Sequence, residues 1–145
     1  MNNQELQSLV EKISLQFFNR PFLHQAYFNR RLKSTGGRYF LENHNIDINP
    51  KMLEEFDKQI LIGVIKHELC HYHLHMSGQK HTHRDQIFRG LLQQVGGLRY
   101  APRVPSEEMK YQYVCQQCGR KFFRQRKMNP ARYHCGICHG KIKLI

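Results

Sequence analysis

His67, Glu68 and His71 stand in the pattern H-E-x-x-H, His67-Glu68-Leu69-Cys70-His71. On a helix, residues four apart share a face one turn (~5.4 Å) above each other, so both imidazoles reach one metal ion. Glu68, one step round the helix, then sits beside the ion and not under it. Two histidines that hold Zn²⁺, with a carboxylate placed to take a proton from water at the ion, make a hydrolytic centre. The bland alternative is a solvated His pair on a His-rich helix, since five residues with three fixed do arise by chance. The surroundings favour the helix. Leu61, Ile62, Val64, Ile65, Leu69 and Tyr72 give it a broad apolar surface, and no Pro interrupts it after Pro50.

A catalytic zinc takes three protein ligands and leaves one position open. The acidic residues after Glu68 are Asp85, Glu107 and Glu108, so a Glu from a following helix is poorly supplied. The longer pattern H-E-x-x-H-x-x-G-x-x-H fails, because Leu74 stands where Gly is needed and Ser77 where His is needed. His75 shares the helix face but lies about 12 Å along the axis from His67, and His73 points elsewhere. His81, His83 and Asp85 remain, beyond the Ser77-Gly78 break where the chain can fold back. His83, at the start of the next helix, is the expected third ligand, with His81 second and Asp85 the remaining alternative.

A second constellation follows. Cys115-x-x-Cys118 and Cys135-x-x-Cys138 match the C-x₂-C-x₁₅₋₂₀-C-x₂-C zinc pattern. Four thiolates leave no open position, so this zinc is expected to be structural. A module of about 35 residues buries too little core to fold alone, so the metal should supply its stability. Gly119 and Gly136 suit turns that aim N–H groups at sulfur. Val114, Phe122, Phe123, Tyr133 and Ile142 suit the short strands of a zinc ribbon. His134 and His139 adjoin the cysteines but are expected to be exposed. The fifth cysteine, Cys70, reads as a small buried hydrophobe, and a redox dithiol or Fe–S ligation is the alternative for the other four.

These two sites fix what the rest of the chain has to do. With 145 residues, 40% of them hydrophobic, the chain holds one domain plus a small appendage. Residues 3–19 read as an amphipathic helix with Leu6, Leu9, Val10, Ile13 and Phe17 on one stripe, closed by Pro21. Short strands are expected at 26–28, 38–41 and 46–49, with a turn through Asn43, His44 and Asn45, and Gly36-Gly37 turning the chain before them. The metal-binding helix is expected from about residue 53 to 76, and another from 83 or 84 to 95 with Ile87, Leu91 and Val95 on one face. Gly96-Gly97 stops it. Pro102 and Pro105 mark a linker.

Charge is lopsided: residues 99–145 hold 11 Lys/Arg against 2 Glu, out of a net +12 for the chain. A tail this basic favours a polyanion, and nucleic acid before others. Arg120, Lys121, Arg124, Arg126, Lys127 and Arg132 alternate with Phe122, Phe123 and Tyr133, a pattern in which cations hold phosphate and rings stack on unpaired bases. The bland reading is a solvated loop with its aromatics packed in the ribbon. There is no apolar run long enough for a membrane span and no signal-peptide core near Met1, so the chain reads as soluble and cytoplasmic.

Residues 5–95 resemble the SprT-like family, which is related to the Spartan proteases of DNA–protein crosslink repair. The resemblance rests on Arg30-Arg31 to Gly37, on Arg38-Tyr39-Phe40 leading into Ile46-Asp47-Ile48-Asn49, on His67-Glu68-Leu69-Cys70-His71, and on His83-Arg84-Asp85 followed by Phe88. The zinc ribbon is also a feature of bacterial members. Many relatives have the third histidine four residues before an aromatic, whereas His83 is five before Phe88. The resemblance implies a minimal zincin fold, His67, His71 and the downstream histidine as zinc ligands, Glu68 as the catalytic acid/base, and a protease role tied to damaged DNA.

The reading is therefore an α+β chain: a SprT-like zincin domain over residues 1–98, a linker over 99–110 and a four-cysteine zinc ribbon over 111–145. It would be a zinc metallopeptidase with one catalytic and one structural zinc, a protein substrate and a single-stranded or damaged DNA partner. Tyr39, Tyr72 and Arg84 are the candidates for stabilising the oxyanion. The rival from another class is a non-catalytic nucleic-acid-binding protein in which both zincs are structural. Retention of Glu68 between the histidines favours the enzyme.

Overall fold

The structure is a computed structural model that describes residues 1–108, 111–124 and 126–145, the side chain of Glu108 excepted. The chain is mixed α and β, with two small three-stranded sheets in two compact units, Met1–Pro102 and Arg103–Ile145.

In the first unit, helix α1 (Asn3–Ile13) opens on a reciprocal cap. Asn2 Oδ1 accepts the Glu5 N–H at 2.8 Å and Glu5 Oε1 accepts the Asn2 N–H at 3.1 Å. Leu6, Val10 and Ile13 form its buried stripe. The helix then widens into a π turn over Ser14–Phe18 and ends at Asn19 in the left-handed region. This corrects the single helix expected over 3–19. The wider turn shifts the inward positions, so Ser14 is buried, Phe18 is half-buried and Phe17 faces outward. Phe17 instead lies under the Lys66 ammonium, 3.7 Å from the ring centre.

The first sheet has the order β1–β3–β2. Strand β3 (Ile46–Ile48) runs parallel to β1 (Ala26–Phe28) and antiparallel to β2 (Gly37–Tyr39). All of β3 is buried, including Asp47, whose carboxylate accepts from Arg38 Nη2 at 2.6 Å and Asn29 Nδ2 at 3.0 Å. A buried charge is tolerable there because it is paired. Gly37 belongs to β2 and not to the turn before it.

The helix expected over 53–76 is two helices, α2 (Lys51–Glu54) and α3 (Lys58–Met76). Asp57 makes the break: its Oδ1 accepts the Ile60 N–H at 2.9 Å and so caps a new helix. Helix α3 is the centre of the unit, packed against α1, β2, β3 and α4 (Gln86–Val95). Leu61, Ile65, Leu69 and Tyr72 are wholly or almost wholly buried. Cys70 and Leu74 join Phe88, Leu92 and Val95 in one cluster, so Cys70 is a core residue. The inward face of α4 thus carries Phe88, Leu92 and Val95, while Ile87, expected there, is exposed. The helix also starts later than 83 or 84, with Asp85 at its N-cap.

The second unit begins inside the expected linker. Val104 is buried and α5 (Pro105–Glu108) follows, while Met109 and Lys110 lie outside the described residues. Strand β4 (Tyr111–Cys115) lies between β5 (Lys121–Arg124) and β6 (Ile142–Leu144), all antiparallel. Tyr113, Cys115, Cys135 and Ile142 form its small core. The Tyr113 hydroxyl accepts the Met128 N–H at 2.7 Å and so ties the basic loop to β4. Tyr133, expected in a strand, is exposed in the loop that precedes the single His134–Lys141 bridge. No described helix is long and apolar enough to cross a membrane.

Candidate active site and metal centres

Helix α3 places His67 and His71 on one face, and the loop after it brings His83 across to them. His83 Nε2 lies 2.9 Å from His67 Nε2 and 2.9 Å from His71 Nε2. Tetrahedral zinc with Zn–N bonds of ~2.0–2.1 Å separates its nitrogens by about 3.3 Å, so the three imidazoles fit one ion with little movement. Of the alternatives left open by the sequence, His83 is the one brought to the pair.

His81 and Asp85 have other work. The His81 carbonyl lies 2.5 Å from His71 Nδ1, and the Leu98 carbonyl 2.7 Å from His67 Nδ1. Each carbonyl accepts an Nδ1–H, which fixes the tautomer and leaves the Nε2 lone pair for a metal. Asp85 Oδ2 accepts from the Thr82 N–H at 2.8 Å and the Thr82 hydroxyl at 2.7 Å, closing the turn that presents His83. His83 therefore sits in this turn, not in α4. Phe88 makes the floor: it stacks on His71 at 4.4 Å between ring centres and stands edge-on to His67 and His83, each at 5.3 Å.

Burial pushes His71 down to about 4 and lowers His67 as well, so both imidazoles are neutral donors near pH 7. Glu68 is 6% exposed, and its Oε1 is 4.0 Å from His67 Nε2. Burial first, and then the nearby Asp47 charge, push its carboxyl up to about 8. Gly37 makes room for it: a Cβ there would lie 3.2 Å from Glu68 Cγ and 3.0 Å from the Asp47 carbonyl oxygen.

These groups open onto a cleft of about 720 Å³, bordered by residues 34–41 around β2, by 81–83 and by 98–101. Of the three oxyanion candidates, Tyr39 borders this cleft, but its hydroxyl is engaged by His44 and His75. Tyr72 is buried, with its oxygen accepting the Leu23 N–H and bonded to His24. Arg84 is exposed and does not border the cleft. His73 does point away from the triad: its Nε2 lies 2.7 Å from Ser14 Oγ, which donates to the Arg20 carbonyl at 2.6 Å.

In the second unit the four cysteine sulfurs converge within 4.8 Å of one another. Cys115 and Cys138 are 3.3 Å apart and Cys118 and Cys135 3.8 Å, close to the ~3.8 Å that Zn–S bonds of ~2.3 Å require. Backbone N–H groups, first that of Cys118, hold Cys115 down to about 6, while the hydrogen bond to Cys115 pushes its partner thiol Cys138 up to about 12. Favouring the thiolate at Cys115 in this way is what a metal ligand needs. The second-pair glycine that matters is Gly140, not Gly136. Its N–H donates to Cys138 Sγ at 3.4 Å, and a Cβ would lie 2.9 Å from Cys115 Sγ. His134 and His139 are exposed.

Sequence reasoning missed the two carbonyls, Phe88, Gly37 and the Thr82–Asp85 turn. The turn had a signal, Asp three residues after Thr, and Phe88 and Gly37 were visible only as parts of motifs, without these roles. Main-chain carbonyls have no such signal.

A family model described as "SprT-like family" matches residues 6–134. The chain is 57% identical to "Protein SprT-like" of Lactiplantibacillus plantarum, with all of both chains covered. It is 55% identical to "Protein SprT-like" of Bacillus subtilis (100% of this chain, 99% of the relative). Against that of Enterococcus faecalis it is 53% identical (98% and 94%). No solved structure matches.

Proposed function

The chain belongs to the SprT-like family, and from that premise we propose that it is a zinc-dependent metallopeptidase of minimal zincin type, acting on proteins associated with DNA. The observation that carries the proposal is Glu68, a buried carboxylate 4.0 Å from a nitrogen of a converging imidazole triad at an open cleft. Zn²⁺ held by His67, His71 and His83 supplies, when bound, a Lewis acid for a peptide carbonyl and a lowered pKa for water.

This chain's own residues do the rest. Glu68 takes a proton at its carboxylate and passes it to the leaving amine. Burial and Asp47 raise its proton affinity, and the positive charge of a bound ion would oppose that rise and favour the carboxylate that accepts the proton. Leu98 and His81 hold the two helix histidines through their carbonyls. Strand β2 is an edge strand whose hydrogen bonds to the β3 side fall at Gly36 and Phe40. Because such bonds alternate, the main-chain groups of Gly37 and Tyr39 point away from β3, where an extended peptide can pair with them.

Recruitment to DNA is assigned to the ribbon. Arg120, Lys121, Arg124, Arg126 and Lys127 are exposed, with Phe123 and Tyr133 also open to solvent. Such a surface holds phosphate and offers stacking faces to unpaired bases.

Glu68→Gln tests the catalytic half. Zinc content and fold should be unchanged and cleavage of protein substrates abolished. Cleavage retained by the variant, or zinc lost from it, would overturn the role of Glu68. A wild-type protein that binds single-stranded DNA and cleaves nothing in its presence would instead be the non-catalytic binding protein.

A further inference from the structure

The histidine face of α3 continues past the triad. His75 stands one turn beyond His71, and a second histidine, His44, reaches it from the turn between β2 and β3. His44 is held in the left-handed region at φ 64°, with its N–H donating to the Phe40 carbonyl at 2.9 Å. In that conformation its Nδ1 lies 2.7 Å from Tyr39 Oη, and His75 Nδ1 lies 2.5 Å from the same oxygen. Two imidazole nitrogens thus converge on one point. A phenol has one hydrogen to donate, so one nitrogen receives it and the other must carry a proton and donate back. The two rings are thus already held around a shared position.

Two further imidazoles pack against these rings without joining them in a group of three convergent ligand atoms among the described residues. The His81 ring centre is 4.8 Å from that of His75, and the His24 centre is 5.0 Å from that of His44. His44 and His75 are both half-buried and open to solvent. We propose that His44 and His75 form a second metal site, distinct from the triad, that takes a divalent transition metal between their Nδ1 atoms once the Tyr39 hydroxyl, which now bridges them, moves off that point. Imidazole nitrogens favour Zn²⁺, Cu²⁺ and Ni²⁺, whereas Ca²⁺ and Mg²⁺ want oxygens that these side chains do not offer. With two protein nitrogens where the triad has three, the site is the weaker one. Tyr39 borders the same cleft as Glu68 and His71.

The site does not depend on the peptidase reading, and metal binding alone tests it. Full-length protein is dialysed against increasing Zn²⁺ and its zinc measured by elemental analysis. Wild type should hold two equivalents tightly and a third more weakly. His75→Gln and His44→Gln should each weaken the third equivalent about tenfold or more while keeping the two tight ones, which also reports that the fold is intact. Tyr39→Phe, which keeps both imidazoles, should retain it. His71→Ala should lose a tight equivalent and keep the third, separating this site from the triad. The proposal is overturned if wild type takes up no third equivalent, or if both glutamine variants bind it as wild type does.

Discussion

Phe88 offers the sharpest test of how the site is held. Its ring is 1% exposed, packs with Cys70, Leu74, Leu92 and Val95, and touches all three triad imidazoles. Phe88→Ala removes the whole ring from a close-packed cluster, which costs about 3–5 kcal/mol. A domain has only about 5–15 kcal/mol to lose. At about 4–8 °C per kcal/mol for a unit of this size, the first unit should melt at least ~12 °C lower. Phe88→Leu keeps much of the volume and should cost about 1–2 kcal/mol. It nonetheless takes the aromatic surface from under the histidines. Aromatic pairs contribute about 0.5–1.5 kcal/mol beyond burial, and one such contact expressed in metal affinity is about tenfold. At a free zinc concentration 100 times the wild-type Kd, binding adds ~2.7 kcal/mol to stability. The leucine variant should forgo ~1.4 kcal/mol of it under the same conditions. Unfolding with and without zinc, beside chelator competition, reads both quantities. Wild-type zinc affinity in Phe88→Leu would make Phe88 a core residue only. A loss below about 1 kcal/mol in Phe88→Ala would refute the packing argument itself.

Gly37→Ala should leave zinc content unchanged yet lower peptidase turnover by about 10- to 100-fold, because displacing a catalytic group by a fraction of an ångström is that costly; unchanged turnover would show that Glu68 tolerates the crowding. Ser14→Ala leaves His73 and the Arg20 carbonyl without their buried partner and should destabilise by about 2 kcal/mol, whereas Phe17→Ala on the exposed side should cost less than about 1 kcal/mol; chemical denaturation of both variants would reveal a π register assigned wrongly if the order reversed. Replacing Arg124, Arg126 and Lys127 together should flatten the salt dependence of single-stranded DNA binding by about two units of slope, and titration of labelled oligonucleotides at several salt concentrations would expose the wrong surface if the slope did not move.

Both metal constellations were legible because their signals are local. H-E-x-x-H needs only helical periodicity, and C-x₂-C pairs need only a tight turn each. The third ligand was narrowed by elimination to His81, His83 and Asp85 with His83 expected, and the path of the loop brings His83 to the pair. What was illegible had a physical cause in each case. The π turn after Ile13 buries Ser14 against His73, 59 residues away, a contact that apolar spacing does not register, so the stripe does not run on to Phe17. Asp57 broke the long helix through a side-chain bond that apolar spacing does not register. On α4, Ile87 and Phe88 were both apolar, and only packing against α3 decided which one faced inward.

The two carbonyls that hold His67 and His71 come from Leu98 and His81, and α4 lies wholly between them. The stretch from 81 to 98 is therefore a measured spacer: change its length and at least one histidine loses its anchor. Insertions or deletions there should be poorly tolerated even at exposed positions such as Arg84 or Gln93. A graft of this centre onto another scaffold would have to carry α4 with it, although α4 supplies no ligand at all.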